Sequence, residues 1–445
     1  MLMLRGVLHD QTTVPLFKRP RRDSRNPDTF GTVSARRSVD REVGRFAMLG
    51  AAIAMLTVAC GGLQPSGREP SSSSSPGGEV TGASEPHDLP AESLPTGPSA
   101  LDDMNDPSFP PPLVDTADIM SGGPPPDGIP AIDEPSLTPV ADAGPSLQDH
   151  DGVIALDING DARAYPVDIL IWHEIVNDTV GGVPVSITYC PLCNSAVSYE
   201  RTINGVETTF GTSGRLYASA LVMYDRATES LWTHYDGVAV AGLLTGTRLE
   251  PIASPLLAWG EFRQAHPDGH VLSRDTGFTR DYGRNPYLGY DSSDTSPFLF
   301  RGDVDQRAAA MQRVVGVAID GSAAAFTLEA ISSGEAHATN TEIGGNPVVI
   351  LWQTGQASAL EAADTSDGRD IGSVGVFQPD VDGQRLTLEA GEDGFVDTET
   401  GSTWNLTGRA YSGPLTGSQL ERIPHLDTFW FAWSTYQPET ELVKG

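Results

Sequence analysis

"TESLWTHYDGVAVAGLLTGTRLEPI", residues 228–252, returns near the C-terminus as "TGSTWNLTGRAYSGPLTGSQLERI", residues 400–423, with one gap. Trp232 pairs with Trp404, Gly242 with Gly413, Gly246 with Gly417 and Leu249 with Leu420; beyond the block Trp259 pairs with Trp430 and Pro267 with Pro438. Upstream, "VIALDINGDARAYPVDIL" (153–170) matches "VVGVAIDGSAAAFTLEAI" (314–331), "NDTVGGVPVSITYCPLCNSA" (177–196) matches "NTEIGGNPVVILWQTGQASA" (340–359), and Asp225 matches Asp397. The blocks keep one order in both halves. The chain therefore reads as two copies of one unit, 146–275 and 312–445, joined by 276–311. The joining stretch is rich in Tyr, Arg and Asp and is expected to pack against the halves.

Each copy reads mainly as strands. "VIALDI", "PVSITY", "AVSYER", "LVMYD" and "SLWTHY" are short, β-branched or aromatic, and bounded by Gly, Asn or Asp. Asn159-Gly160 is a strong hairpin signal. About two short helices are expected per copy. In the first, one spans 166–175 with Pro166 in its first turn and one spans 255–265, started by Ser254-Pro255; in the second, Asp427 takes the capping role. The fold class is α+β, predominantly β: two degenerate tandem copies after a disordered N-terminal stalk.

The N-terminal third is not domain material. Residues 46–60, "FAMLGAAIAMLTVAC", form a short apolar run behind Arg36, Arg37, Arg41 and Arg45, the layout of a secretory signal. Cys60, after Val58-Ala59 and before Gly61-Gly62, resembles a lipobox cysteine, although Thr57 stands where leucine is preferred. Residues 1–59 are thus an extension plus signal peptide, and Cys60 is the expected lipidation site and membrane partner. Residues 1–32 fit no ordinary signal, which points to a start at Val33. Residues 60–145 are dominated by Pro, Ser, Gly and acidic residues, with too few apolar side chains to offset chain entropy, so a disordered tether is expected. The protein is accordingly expected to be extracytoplasmic and lipid-anchored.

Charge excludes one class of partner. The 445 residues carry a formal net charge of −31, and Lys18 and Lys444 are the only lysines. Residues 1–59 hold ten Lys and Arg against five Asp and Glu, so their removal leaves −36. Such a surface repels nucleic acid.

The repeat separates scaffold from chemistry. Glycines, tryptophans and turn residues recur, whereas Cys190 and Cys193 align with Gln353 and Gln356, and His173 and Glu174 with Ala336 and His337. The thiols are an addition to a fold that runs without them. Three uses of the C-x-x-C remain open: a structural disulfide in an oxidising compartment, a redox dithiol, or half of a metal knuckle completed by His173 and Glu174. Thiolate with imidazole suits zinc or copper. Asn177 and Asp178 are candidates for the turn into "VGGVP", Asp225 for turn-making, and Arg226, which aligns with Thr398, for function. No Ser-His-Asp order, H-E-x-x-H, Walker or dinucleotide fingerprint is present.

"YPVDILIWHEIVNDTVGGVPVSITYCPLCNSAVSYER" with "FGTSGRLYASALVMYDRATESLW" resembles the bacterial and archaeal family catalogued as domain of unknown function 3179. Carried over position by position, the resemblance implies His173, Glu174, Asn177, Asp178, Cys190, Cys193, Asp225 and Trp232 as signature residues. It also implies a secreted or membrane-anchored protein of no established reaction. The chain departs from the family pattern at Asn194, where glycine is usual, and glutamine is usual near His234, which sets His234 aside as a ligand. Two functions follow as expectations: a lipid-anchored protein with a Cys-pair metal or thiol-redox site, or a non-catalytic surface binding module whose cysteines form a structural disulfide. Substrate, small-molecule or protein partner and any turnover are not legible.

Overall fold

Two-residue turns set the registers of the sheets. Asn159-Gly160 joins strands Gly152–Ile158 and Asp161–Pro166 with φ of 52° and 82°, the left-handed pair that a type I′ hairpin requires. Gly181-Gly182 joins Ile175–Val180 to Val183–Cys190 in the same way, with φ of 55° and 84°. Asp320-Gly321 (49° and 79°) and Gly344-Gly345 (60° and 85°) make the corresponding turns further along the chain.

The computed structural model describes residues 93–445. The expected signal peptide, the expected lipidation site Cys60 and residues 60–92 of the expected tether lie outside the described residues. The described chain is β-rich with four short α-helices. In the first half, strands Leu256–Ala258, Gly152–Ile158, Asp161–Pro166 and His270–Leu272 lie side by side, the last pair parallel; in the second, His425–Phe429, Arg313–Ile319, Ser322–Thr327 and Glu441–Val443 take that order with the same parallel pair. Ile175–Val180, Val183–Cys190, Ser195–Glu200 and Pro251–Ile252 form a second sheet, as do Ala336–Ile343, Asn346–Gln353, Ser373–Gln378 and Glu421–Arg422. The third sheets run Phe210–Tyr217, Ala220–Asp225, Leu231–Thr233 and Val238–Ala241, and Leu388–Gly391, Gly394–Asp397, Thr403–Trp404 and Ala410–Ser412.

The opening stretch explains its own residues. The Asp225 carboxylate accepts the Thr228 N–H (2.6 Å), the Thr228 hydroxyl (2.8 Å) and the Trp232 indole N–H (2.9 Å). Asp397 accepts the same three groups from Thr400 and Trp404 at 2.6, 2.9 and 2.9 Å. A Cβ on Gly242 (φ 112°) would come within 2.7 Å of the Ser230 Cα, and one on Gly413 (φ 88°) within 2.6 Å of the Ser402 Cα, so only glycine fits either place. Asp225 is thus the turn-maker that its recurrence suggested.

The helices fall near their expected places with shifted starts. Val167–His173 begins one residue later than expected, with Pro166 as its N-cap, and ends where Glu174 turns left-handed (φ 59°). The second helix starts at Trp259, not at Pro255, because Leu256–Ala258 is taken as an edge strand on Gly152–Ile154. Trp430–Tyr436 starts after Phe429, not at Asp427, for the same reason: His425–Phe429 pairs with Arg313–Val317. Leu328–Ile331 is a single turn.

Composition misleads over 93–145, which is a packed strap and not a disordered tether. Ile119–Ser121 pairs with Arg215–Tyr217, Leu137–Pro139 pairs with His270–Leu272, and Ile132 exchanges backbone hydrogen bonds with Ile175 and Asn177 (2.9 and 2.8 Å). Ala100, Phe109, Ile119, Ala131, Ile132 and Val140 are its buried anchors. Proline costs little on an edge, where its missing N–H has no ladder partner to disappoint. The joining stretch 276–311 packs as well: Asp291 is buried, taking Arg313 and Arg369 at 2.9 Å each. One apolar cluster runs through both halves, holding Cys190, Cys193 and Trp232 with Phe429, Trp430 and Phe431.

Candidate functional site

The cysteines sit on a tight hairpin. Cys190 ends strand Val183–Cys190, Ser195 opens strand Ser195–Glu200 opposite it, and residues 191–194 close the loop. Asn194 closes it with φ 49°, a left-handed position that asparagine or glycine fills at low cost. No helix follows Cys193, so the helix-dipole activation used by thioredoxin-like dithiols is absent here. Both thiols are free and buried.

The third member of the cluster is His234. Its ligating nitrogen and the two sulfurs lie within 4.8 Å of one another, with all three residues buried. His234 follows strand Leu231–Thr233, and its backbone N–H bonds the Leu221 C=O (3.1 Å) while its C=O accepts the Tyr199 hydroxyl (2.9 Å). Its side chain is equally constrained. The Thr188 hydroxyl donates to the Val197 C=O (2.8 Å) and so accepts from the His234 Nδ1–H (2.7 Å). Nε2 is left bare, accepts the Ser195 O–H (2.7 Å), and lies 3.9 Å from the Cys193 Sγ. The Ser195 oxygen in turn takes the Cys193 S–H (2.9 Å). A single chain of hydrogen bonds therefore runs from a thiol to a main-chain carbonyl and presets the tautomer that a metal needs.

Electrostatics divide the two thiols. Burial pushes Cys190 up, but the Cys193 side chain and the backbone N–H groups of Cys193, Leu221 and Leu192 outweigh it and bring Cys190 below the usual thiol value. Burial, followed by the Cys190 sulfur, pushes Cys193 well up. Cys190 thus gives up its proton first. Burial alone lowers His234 to about 3, which keeps the imidazole neutral and able to coordinate.

The expected partner histidine is elsewhere. His173 uses both ring nitrogens in structure: Nδ1–H donates to the Pro130 C=O (2.8 Å) and Nε2 lies 2.6 Å from the Tyr282 hydroxyl. It pins the strap and the joining stretch to the first helix and is not among the residues whose ligand atoms converge with the sulfurs. Glu174 stays outside the ligand cluster too; burial, then the Cys190 sulfur, pushes its carboxyl up to about 8. Asn177 clamps Asp133 (2.7 Å) and the Phe210 backbone (2.8 and 3.0 Å), and Asp178 takes Arg163 twice at 2.8 Å and the Tyr165 hydroxyl at 2.7 Å. Arg226, favoured for function, is a strap tie, reaching Asp133 (2.8 Å) and Asp127 (3.2 Å). None of these joins the thiols.

His234 carried a legible signal. It aligns with Leu406, so it is as particular to the first half as the cysteines are, whereas Ser195 has a counterpart in Ser358. The family model described as a protein of unknown function, DUF3179, matches residues 126–440. No curated protein and no solved structure matches the chain.

Proposed function

The chain belongs to the DUF3179 family, defined without a reaction, so its chemistry rests on the site itself, and we propose that Cys190, Cys193 and His234 hold a soft or borderline metal ion, copper(I) or zinc. The observation that carries this is the convergence of two sulfurs and an unprotonated imidazole nitrogen on three buried residues. Zinc bonds of about 2.3 Å to sulfur and 2.0 Å to nitrogen place tetrahedral ligands roughly 3.5–4 Å apart, and the Cys193–His234 separation of 3.9 Å falls in that range. The donor set therefore fits. Three donors and no carboxylate favour copper(I), which accepts low coordination; zinc would take Ser195 or a further ligand as its fourth. The ion would supply Lewis-acid or electron-carrying capacity; the chain's own part is to exclude water and hold the ligands still.

Metal analysis of the purified protein with thiol titration tests this. One ion per chain is expected, lost in Cys190→Ser and His234→Ala and kept in His173→Gln; loss in His173→Gln with retention in His234→Ala would overturn it. A second reading, a redox dithiol with Cys190 as attacking sulfur, draws on the opposed shifts of the two thiols. No metal but two titratable thiols that oxidise reversibly would select it. No metal and no thiol would leave a binding module with a structural disulfide.

The chain is exported and tethered through lipid at Cys60, a reading supported by the basic and apolar stretch ahead of that cysteine. The halves descend from one duplicated unit; support comes from the shared strand orders and the twin Asp–Trp clasps.

A further inference from the structure

Behind the cysteine hairpin lies a cavity of about 320 Å³ that the metal site does not use. Glu174, Leu192, Leu221, Tyr287, Tyr290 and Phe298 line it. Leu192 lies in the loop between the two cysteines, and the backbone N–H groups of Leu192 and Leu221 favour the Cys190 thiolate.

Glu174 is the anomaly in this wall. Its backbone is spent, the N–H on the Leu170 C=O (2.7 Å) and the C=O on the Tyr189 N–H (2.8 Å), in a left-handed conformation that a long side chain rarely adopts. The side chain lines the cavity, is only 7 % exposed, and none of the described residues hydrogen-bonds its carboxyl. A carboxyl on a largely buried residue that faces a cavity with no protein partner calls for an explanation. The remaining lining is apolar except for Thr212 and Arg215; Arg215 Nη2 donates to the Leu101 C=O (2.8 Å) and Thr212 Oγ1 to the Ile129 C=O (2.7 Å). The volume sits at the small end of ligand pockets, which run from about 300 to 1,000 Å³.

We propose that this cavity binds a small, neutral aromatic molecule carrying one hydroxyl or carbonyl group, its ring against Leu192, Leu221 and the two tyrosines and its oxygen on Glu174. The ligand supplies the partner that the Glu174 carboxyl lacks, and it lies against the backbone that cradles Cys190. The proposal does not depend on a metal at the thiols. Phe298, at the mouth and 47 % exposed, caps the ring.

The test uses 1-naphthol, with naphthalene and 1-naphthoate as comparisons, titrated calorimetrically into the full chain. One site is expected, with a negative heat-capacity change from apolar burial. Glu174→Leu should weaken 1-naphthol about tenfold and leave naphthalene unchanged or tighter. Phe298→Ala, at an exposed rim and harmless to folding, should weaken both several-fold. The Cys190→Ser/Cys193→Ser chain should bind 1-naphthol as the natural protein does, which separates this cavity from the metal site. Absence of 1-naphthol binding would overturn the proposal, as would affinity untouched by either substitution. Tighter binding of 1-naphthoate than of 1-naphthol would overturn the assignment to a neutral ligand, placing Arg215 and not Glu174 at its head group.

Discussion

At the scale of single residues, the proposed metal site depends on side chains beyond its three proposed ligands. Thr188 fixes the His234 ring by taking its Nδ1–H, so Thr188→Val should loosen the imidazole and cost about 10–100-fold in metal affinity, read by competition with a copper(I) or zinc chelator. Full affinity in that variant would mean that packing alone orients the ring. Asn194 tests the loop. At φ 49° alanine is strained where glycine is free, so Asn194→Ala should be about 1 kcal/mol less stable than Asn194→Gly in urea titration, both having lost the hydrogen bond from the Tyr189 hydroxyl (3.1 Å). The cysteines were legible because they have no counterpart in the second half. His234 carried the same signal, with Leu406 in its place, but its juxtaposition with them did not show, because forty-odd positions separate it from them in the chain and only the hairpin and the Leu231–Thr233 strand bring it back. His173 misled for the opposite reason: it sits in a conspicuous motif yet spends both nitrogens on holding the strap and joining stretch in place.

At the scale of elements, what could be read in advance was what is local. Asn159-Gly160 carries its turn geometry in its own chemistry, so that hairpin fell where expected, whereas Asn177 and Asp178, expected at the turn into "VGGVP", lie in strand Ile175–Val180 and Gly181-Gly182 makes the turn. The strap did not, because its anchors are isolated apolar residues spread through proline-rich chain, and an average over the segment hides them. The joining stretch works through Asp291. Burial raises its carboxyl, but Arg313, the Ser358 hydroxyl (2.6 Å) and Arg369 overcome this and hold it below the usual value of 3.8. A folded-state pKa below the unfolded one gives stability that is present above about pH 4 and lost as pH falls further. Asp291→Asn leaves Arg313 buried and unpaired, which should cost about 3 kcal/mol at pH 7. Denaturant midpoints of the two proteins should converge as pH drops below 4; a gap that stays constant would show that Asp291 acts by packing and not by charge.

At the scale of the whole molecule, a net charge of −31 makes the folded chain repel itself. Salt screens that repulsion over about 10 Å at 0.1 M, so the thermal midpoint should rise by a few degrees between 50 and 500 mM sodium chloride; a falling midpoint would put favourable ion pairs such as Arg163–Asp178 ahead of the repulsion. The thiol loop meets the other half of the chain directly. The Cys193 carbonyl accepts the Thr428 hydroxyl (2.8 Å) and the Phe429 N–H (3.1 Å), and Asn194 faces Arg313 (3.4 Å) and the Asp427 carbonyl (3.4 Å). The half without cysteines thus acts as a splint for the half that has them. An ion could leave only as fast as that splint yields, so release from the thiols becomes a mechanical event in the whole chain, open to triggering by anything that pries Phe429 from the loop.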